Sequence, residues 1–453
     1  MPTSSQSDID YAARARDVLG FSRWWQVAAA AVMMGLISPY QYVWSSIESP
    51  IARSLDLDPT ALGFVFTLFV VFQAGSQFPV GWYRDRHGPR GLTLLAGLLA
   101  GGGYVGLAYA TEVWQLYLLY SLGAVGVGIV YTVAVNTALK WFPDRRGLTT
   151  GVGTMAFAAG SALFIPYVRS NATAAGYPDV LRNMGLLIGV GLLVGALVLR
   201  DPPTGWASAT EETAEIETAE ASPDGEPAET SSDDASAEVE ADDTSAGVET
   251  DGGASATAGK QYTSREMLRT WQFWLMYAMF VFASGAGLML TAKVVSFAQN
   301  VGLTALTVTA GATVLPIAGG VGRLVVGDLS DRVDRERAMG VSFLLCGLGL
   351  FAVVWFGVAG TSLGFLAAVV IATFFWSPQY TLFPSVVGDY YGQEHSSANY
   401  ALLYSGKMWG GVFGGGVAGW LVTQTGWPTA FAIGGGLAVV AGLGAFLLRE
   451  PSA

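Results

Sequence analysis

Three cations stand where this sequence is otherwise apolar: Lys293, Arg323 and Lys407. A charge fixed at the centre of a lipid-embedded helix costs at least about 2.5–3.5 kcal/mol on insertion scales, so each calls for a partner or a purpose. Lys407 lies roughly 15 Å into its apolar run at about 1.5 Å per residue, and Arg323 roughly 12 Å in. Lys293 falls near the outer end of its run, where a long stem can snorkel to the interface, a reading open in principle to all three. No Asp or Glu sits near the middle of an apolar run. Glu48 ends the first run, Glu112 is in a loop, and Asp85, Asp328 and Asp331 belong to polar loops, as do His87 and His395. The counter-ion is therefore expected from outside the chain. Arg323 offers a planar fork for a carboxylate and Lys407 a point charge, which together suit an anion with one or two negative charges. With no buried carboxylate or histidine to carry a proton, exchange of one anion for another fits better than proton coupling.

Polar aromatics and amides can complete such a site. Tyr42, Tyr131, Trp376, Tyr380 and Tyr404 fall inside apolar runs, and Tyr404 precedes Lys407 by one helical turn on the same face. Gln41 and Gln73 are further polar liners. The alternative for any one of the aromatics is the belt of Trp and Tyr at a membrane interface.

The elements that must hold these residues are membrane helices. Hydrophobic side chains make up 52% of the chain and charged ones 13%, and the apolar blocks approach or exceed the roughly 20 residues that cross a hydrocarbon core. The expected fold is an all-α membrane protein with twelve transmembrane helices in two six-helix halves. Their expected positions are 24–47, 60–83, 91–110, 113–139, 147–169 and 182–200, then 270–297, 303–328, 337–358, 361–384, 397–423 and 427–448. The halves are 1–203 and 263–453, joined by a linker, 204–262. The formal charge of −12 belongs to that linker, since 16 of the 35 acids lie in 204–259, which has no Lys or Arg. Its composition cannot recover ordering entropy by burial, so it is expected to be disordered. Nucleic-acid binding has no support. Cys346 is the one cysteine, so no disulfide forms within the chain, and no cluster of His, Cys, Asp or Glu lies at membrane depth to suggest an enzyme, a metal or a cofactor.

Short loops rich in Arg and Lys mark one face: Arg84, Arg86, Arg90, Lys140, Arg145, Arg146, Arg332, Arg335 and Arg337. The positive-inside rule makes that face, both termini and the linker cytoplasmic, in a cell membrane. The first 20 residues are polar and do not read as a cleavable signal, so the first apolar helix is expected to direct insertion.

Two of those loops repeat a pattern after the second helix of each half. Gly81, Asp85, Arg86, Gly88 and Arg90 in GWYRDRHGPR match Gly327, Asp331 and Arg332 in GDLSDRVDRE, with Asp334 in place of the last Gly. Gly can allow close helix approach, Asp can accept from a helix N-terminus, and Arg can pair across the face, a clasp that could form in one conformation and break in another. Two copies at matched positions resemble the major facilitator superfamily. Within it, the chain resembles the oxalate/formate antiporter family through QYVW at 41–44, GVGIVYTVAVNTALKWFPDRRGL at 126–148, LRDPPTGW at 199–206, FFWSPQYTLFPS at 374–385 and NYALLYSGK at 399–407. The resemblance implies alternating-access transport of small carboxylates. It implies that Arg323 and Lys407 bind the carboxylates inside a cage of Gln41, Tyr42, Tyr131, Trp376, Tyr380 and Tyr404. The expected partners are a small carboxylate anion and the lipid bilayer, with the chain a monomer. Two readings compete: a proton-coupled organic-anion carrier, and a membrane sensor signalling through its acidic linker.

Overall fold

The computed structural model describes residues 11–142, 146–203, 206, 261–330, 332–392 and 396–451. Among them, regular structure is entirely helical. Ten helices are long and apolar enough to cross a bilayer, and the pair Trp24–Tyr42 and Trp44–Leu55, bent by 46°, makes an eleventh span. The remaining rod is broken into Ser396–Tyr404, Gly406–Val412, a π turn at Phe413–Val417, and Ala418–Thr425. In chain order these are twelve spans, six before and six after the linker. The linker lies outside the described residues except for Trp206, Gln261 and Tyr262.

Each half repeats one packing plan. The third span, Arg90–Leu107, lies between the fourth, Val113–Trp141, and the sixth, Tyr177–Val198; the ninth, Arg335–Val358, lies likewise between the tenth and the twelfth, Trp427–Ala445. Helices in lipid gain no hydrophobic drive from meeting each other, so van der Waals contact between small residues holds them. At the third and sixth spans a Cβ on Gly101 would come within 2.6 Å of the Gly189 Cα, an approach only glycine permits. Helix ends need partners for their free NH groups. Asp58 caps the second span by accepting from the backbone of Thr60 and Ala61 at 2.7 and 2.9 Å.

Two helices outrun the sequence reading. The first span continues to Leu55 rather than ending at 47, and the tenth, Ser362–Trp376 with Gln379–Tyr391, continues past 384. Both contain a proline, Pro50 and Pro384, that reads as a stop in water. In a bundle, neighbouring helices and bends take up the freed backbone groups, so the helix survives. A short helix, Tyr11–Leu19, also forms in the polar leader; Arg14 from it lies over the Trp206 ring at 5.2 Å.

Five spans are interrupted: the first at Val43, the second at Ser76 between Pro59–Gly75 and Gln77–His87, the fifth by a 3-10 turn at Gly160–Leu163, the tenth at Ser377 and Pro378, and the eleventh at Ser405. Breaks of this kind expose backbone and re-aim side chains, and they are tolerated where the helix faces protein or a cavity.

The halves meet closely at the end opposite the basic loops. Thr67 Oγ1 on the second span donates to the Gly411 carbonyl at 3.1 Å and accepts from Gly416 N at 2.8 Å. A Cβ on Gly63 would collide with the Gly415 carbonyl. Gly63→Val is therefore expected to hold this seam apart. A cysteine at Ser296, in a Cys346→Ser background, should then react with a water-soluble maleimide about 5- to 150-fold faster, the range set by an overpacking cost of about 1–3 kcal/mol. An unchanged rate would mean that the seam does not depend on the Gly63 contact.

Candidate anion site

Lys407 and Arg323 are both buried, 2% and 3% exposed, and neutral groups alone hold them among the described residues. The break at Ser405 turns Lys407 inward, where Nζ donates to Gln73 Oε1 at 2.8 Å and to the Tyr404 hydroxyl at 3.3 Å. Arg323, from Ala305–Ser330, spreads its fork over three partners. Nε donates to Ser377 Oγ at 2.6 Å, one terminal nitrogen to the Thr154 carbonyl at 2.9 Å, and the other to the Tyr42 hydroxyl at 3.5 Å. Ser377 is available because the tenth span breaks there, and Tyr42 is aimed inward by the bend at Val43.

Tyr380 links the two charges. Its ring centroid lies 4.8 Å from Arg323 Cζ and 5.6 Å from Lys407 Nζ, so the two cations are no further apart than those distances combined. Gln41, Tyr131, Phe157, Arg323, Tyr380, Tyr404 and Lys407 line a narrow cavity with about 180 Å³ of space between atoms and no room for a water molecule. Around it several buried polar atoms have no hydrogen-bond partner among the described residues: Gln41 Oε1, Gln73 Nε2, Trp376 Nε1, Gln379 Nε2 and the Tyr380 hydroxyl. Buried polar atoms rarely stay unpaired. Three of these five are N–H donors and the Tyr380 hydroxyl can donate, a set suited to an anion's oxygens.

The nine residues singled out from the sequence converge here. Six line the cavity or carry its charge, Tyr42 and Gln73 bond the cations, and Trp376 stands behind Tyr380 at 5.9 Å between ring centroids. Sequence reasoning missed Phe157, Ser377, the Thr154 carbonyl, and Gln379, which accepts from Ser284 at 3.0 Å. The FWSPQY run containing Ser377 and Gln379 carried a usable signal, a Ser-Pro inside an apolar helix.

Lys293 corrects the sequence reading. It does not snorkel: it is 1% exposed and ion-paired with Glu48. Because the first span continues past 47, Glu48 sits inside a helix and supplies the acid that Lys293 was expected to lack.

At the basic end, Asp85 and Asp331 have side chains outside the description. Gly81 and Gly327 do not mark a close approach, since a Cβ at either would meet its nearest neighbour at 3.8 and 3.7 Å. Gly88 has φ +74 and ends its helix, which favours glycine. The buried arginine is Arg84, bonded to Asp201 at 2.6 Å and Thr137 at 3.0 Å, with Lys140 joining Asp201 at 3.3 Å. Arg86 lies over the Trp82 ring at 3.8 Å, Arg90 is exposed, and Arg332 pairs with Asp328 one turn back. These ion pairs lie within one half; they do not cross between halves.

Residues 27–404 match the model of the Major Facilitator Superfamily. The oxalate:formate antiporter of Oxalobacter formigenes is 31% identical over 414 residues, 91% of this chain and 88% of that protein. A D-xylose–proton symporter has the same fold, with a TM-score of 0.71 at 14% identity over 95% of this chain and 99% of its own. A bacterial homologue of the human lysosomal transporter Spinster gives a TM-score of 0.64 at 14% identity, covering 97% and 96%. The chain is thus a membrane-embedded transporter of a small molecule, not an enzyme, and it belongs to the major facilitator superfamily and, within it, to the oxalate/formate antiporter family.

Proposed function

We propose that this transporter exchanges small carboxylate anions, of the oxalate and formate type, by alternating access. The observation that carries this reading is the pair of buried cations, Arg323 and Lys407, converging on one cavity with only neutral partners among the described residues. At the separation that Tyr380 allows, and an effective dielectric of about 20, their mutual repulsion is at least about 1.6 kcal/mol. A bound carboxylate replaces that repulsion with two attractions. The empty site resists reorientation for the same reason, which favours obligatory exchange over net uptake. The similarity to the oxalate:formate antiporter supports the same substrate class.

Tyr42, Gln41, Tyr131, Trp376, Tyr380, Tyr404 and Gln73 then orient the carboxylates and keep water from the charges. The basic end is cytoplasmic under the positive-inside rule, which makes the Thr67–Gly416 seam the outer gate. The Gly81–Arg90 and Gly327–Arg332 loops belong to the cytoplasmic switch.

Reconstituted vesicles loaded with labelled oxalate test this. Label is expected to leave when formate or oxalate is present outside and to stay when the outside holds only glucose or a cationic amine. Efflux that needs no counter-anion, or that a proton gradient drives on its own, would replace exchange with proton-coupled carriage.

A further inference from the structure

The Glu48–Lys293 ion pair lies apart from the anion site. Glu48 belongs to the first span and Lys293 to the seventh, Trp271–Asn300, so the pair joins the two halves, with both partners buried at 4% and 1% exposure. Ser296 Oγ reaches the second carboxylate oxygen at 3.3 Å. Lys293 is six residues beyond Gly287, where a Cβ would collide with the Trp376 indole, and Glu48 is six residues beyond Tyr42. Along the unbroken seventh span, at about 1.5 Å per residue, Lys293 stands about 9 Å outward of the level of Trp376. On their other side a cavity of about 340 Å³ is lined by Glu48, Ser49, Ser296, Gln299, Asn300 and Trp427, residues of both halves. The ion pair thus lies between this outer vestibule, which Glu48 lines, and the anion site.

Resting on the carboxylate reading, we propose that Lys293 is a third anion-binding residue, used while substrate crosses this end, and that Glu48 is its resident stand-in while the end is closed. The two partners sit on different halves, so opening this end separates them. Lys293 then faces the vestibule with its donors free, and a carboxylate arriving from that side is chemically what it has just lost. When the halves close, Glu48 returns to Lys293 and the substrate moves on to Arg323 and Lys407, which have no carboxylate partner among the described residues. The chain's own acid therefore competes with the cargo for one cation, and the closing motion decides the winner.

Opposite shifts in apparent affinity distinguish this from a simple latch. In vesicles of defined orientation, Glu48→Gln is expected to lower the KM for oxalate offered on the vestibule side at least about threefold, because the competitor is gone. Lys293→Gln is expected to raise it at least about threefold, and the double variant should follow Lys293→Gln, while KM on the basic side stays within about twofold throughout. A latch alone predicts shifts of the same sign for both single variants, and that result overturns the proposal. If either neutral variant fails to fold, Lys293→Arg and Lys293→Met are compared: retained KM in the first and raised KM in the second are expected, and equal values sink the idea. A wild-type protein that exchanges no carboxylate would instead remove the underlying functional reading.

Discussion

Lys407→Gln is expected to abolish carboxylate exchange and to leave the protein at least as stable as before. Removing one partner of a buried, hydrogen-bonded charge pair costs about 2–5 kcal/mol, so substrate affinity should fall at least about 30-fold. The apo protein behaves differently. Among the described residues Lys407 is held by Gln73, Tyr404 and the Tyr380 ring, and a buried cation without an anionic partner is a desolvation cost to the fold. Gln at this position keeps a donor for Gln73 and removes the charge. Thermal unfolding of the purified variant should therefore start from a Tm no lower than that of the wild type and show no stabilisation by oxalate or formate, whereas the wild type is expected to show a ligand-dependent rise. A variant still stabilised by oxalate would take Lys407 out of the binding site.

Arg323→Lys should be nearly as damaging, although it preserves the charge. The guanidinium bonds Ser377, the Thr154 carbonyl and Tyr42 at once, on the tenth, fifth and first spans. A lysine ammonium at the end of an unbranched stem cannot reach all three in that geometry. A hydrogen bond to a charged group is worth about 1.5–3 kcal/mol, so losing one of them, or one contact to a carboxylate, corresponds to about 10- to 150-fold in KM for exchange. Counterflow measured on Arg323→Lys with Lys407 intact checks this, and an unchanged KM would mean that charge alone, without the fork, serves the site.

The candidate site was legible where the lipid makes polarity expensive. Arg323, Lys407, Gln73 and the inward tyrosines stand out against apolar neighbours, and the three-residue step from Tyr404 to Lys407 fixes a shared helix face without any structure. Glu48 was not legible as a buried partner because Ser45, Ser46 and Pro50 around it carry the signals of a helix end in water; only packing against the seventh span carries the helix on to Leu55. Phe157 was invisible for the opposite reason, being one apolar residue among many. The Thr154 carbonyl is a backbone atom whose side chain carries no message about it. In the first basic loop three arginines fall within seven positions, and helix phase alone decides that Arg84 turns inward to Asp201 while Arg86 stacks outward on Trp82. The twelve-span plan followed from composition and length, whereas the five interruptions depend on which faces meet, which no local run of residues reports.

The narrowness of the cavity around Tyr380 bears on which anions of equal charge would fit the proposed site. Walls that leave no room for a water molecule part at least cost for something flat, and a carboxylate is a sheet of delocalised atoms that can slide along an aromatic face. Sulfate and phosphate carry similar charge on a tetrahedron and would have to force the rings further apart. On the proposed carboxylate reading, thickness as well as charge would then set which anions the cage admits.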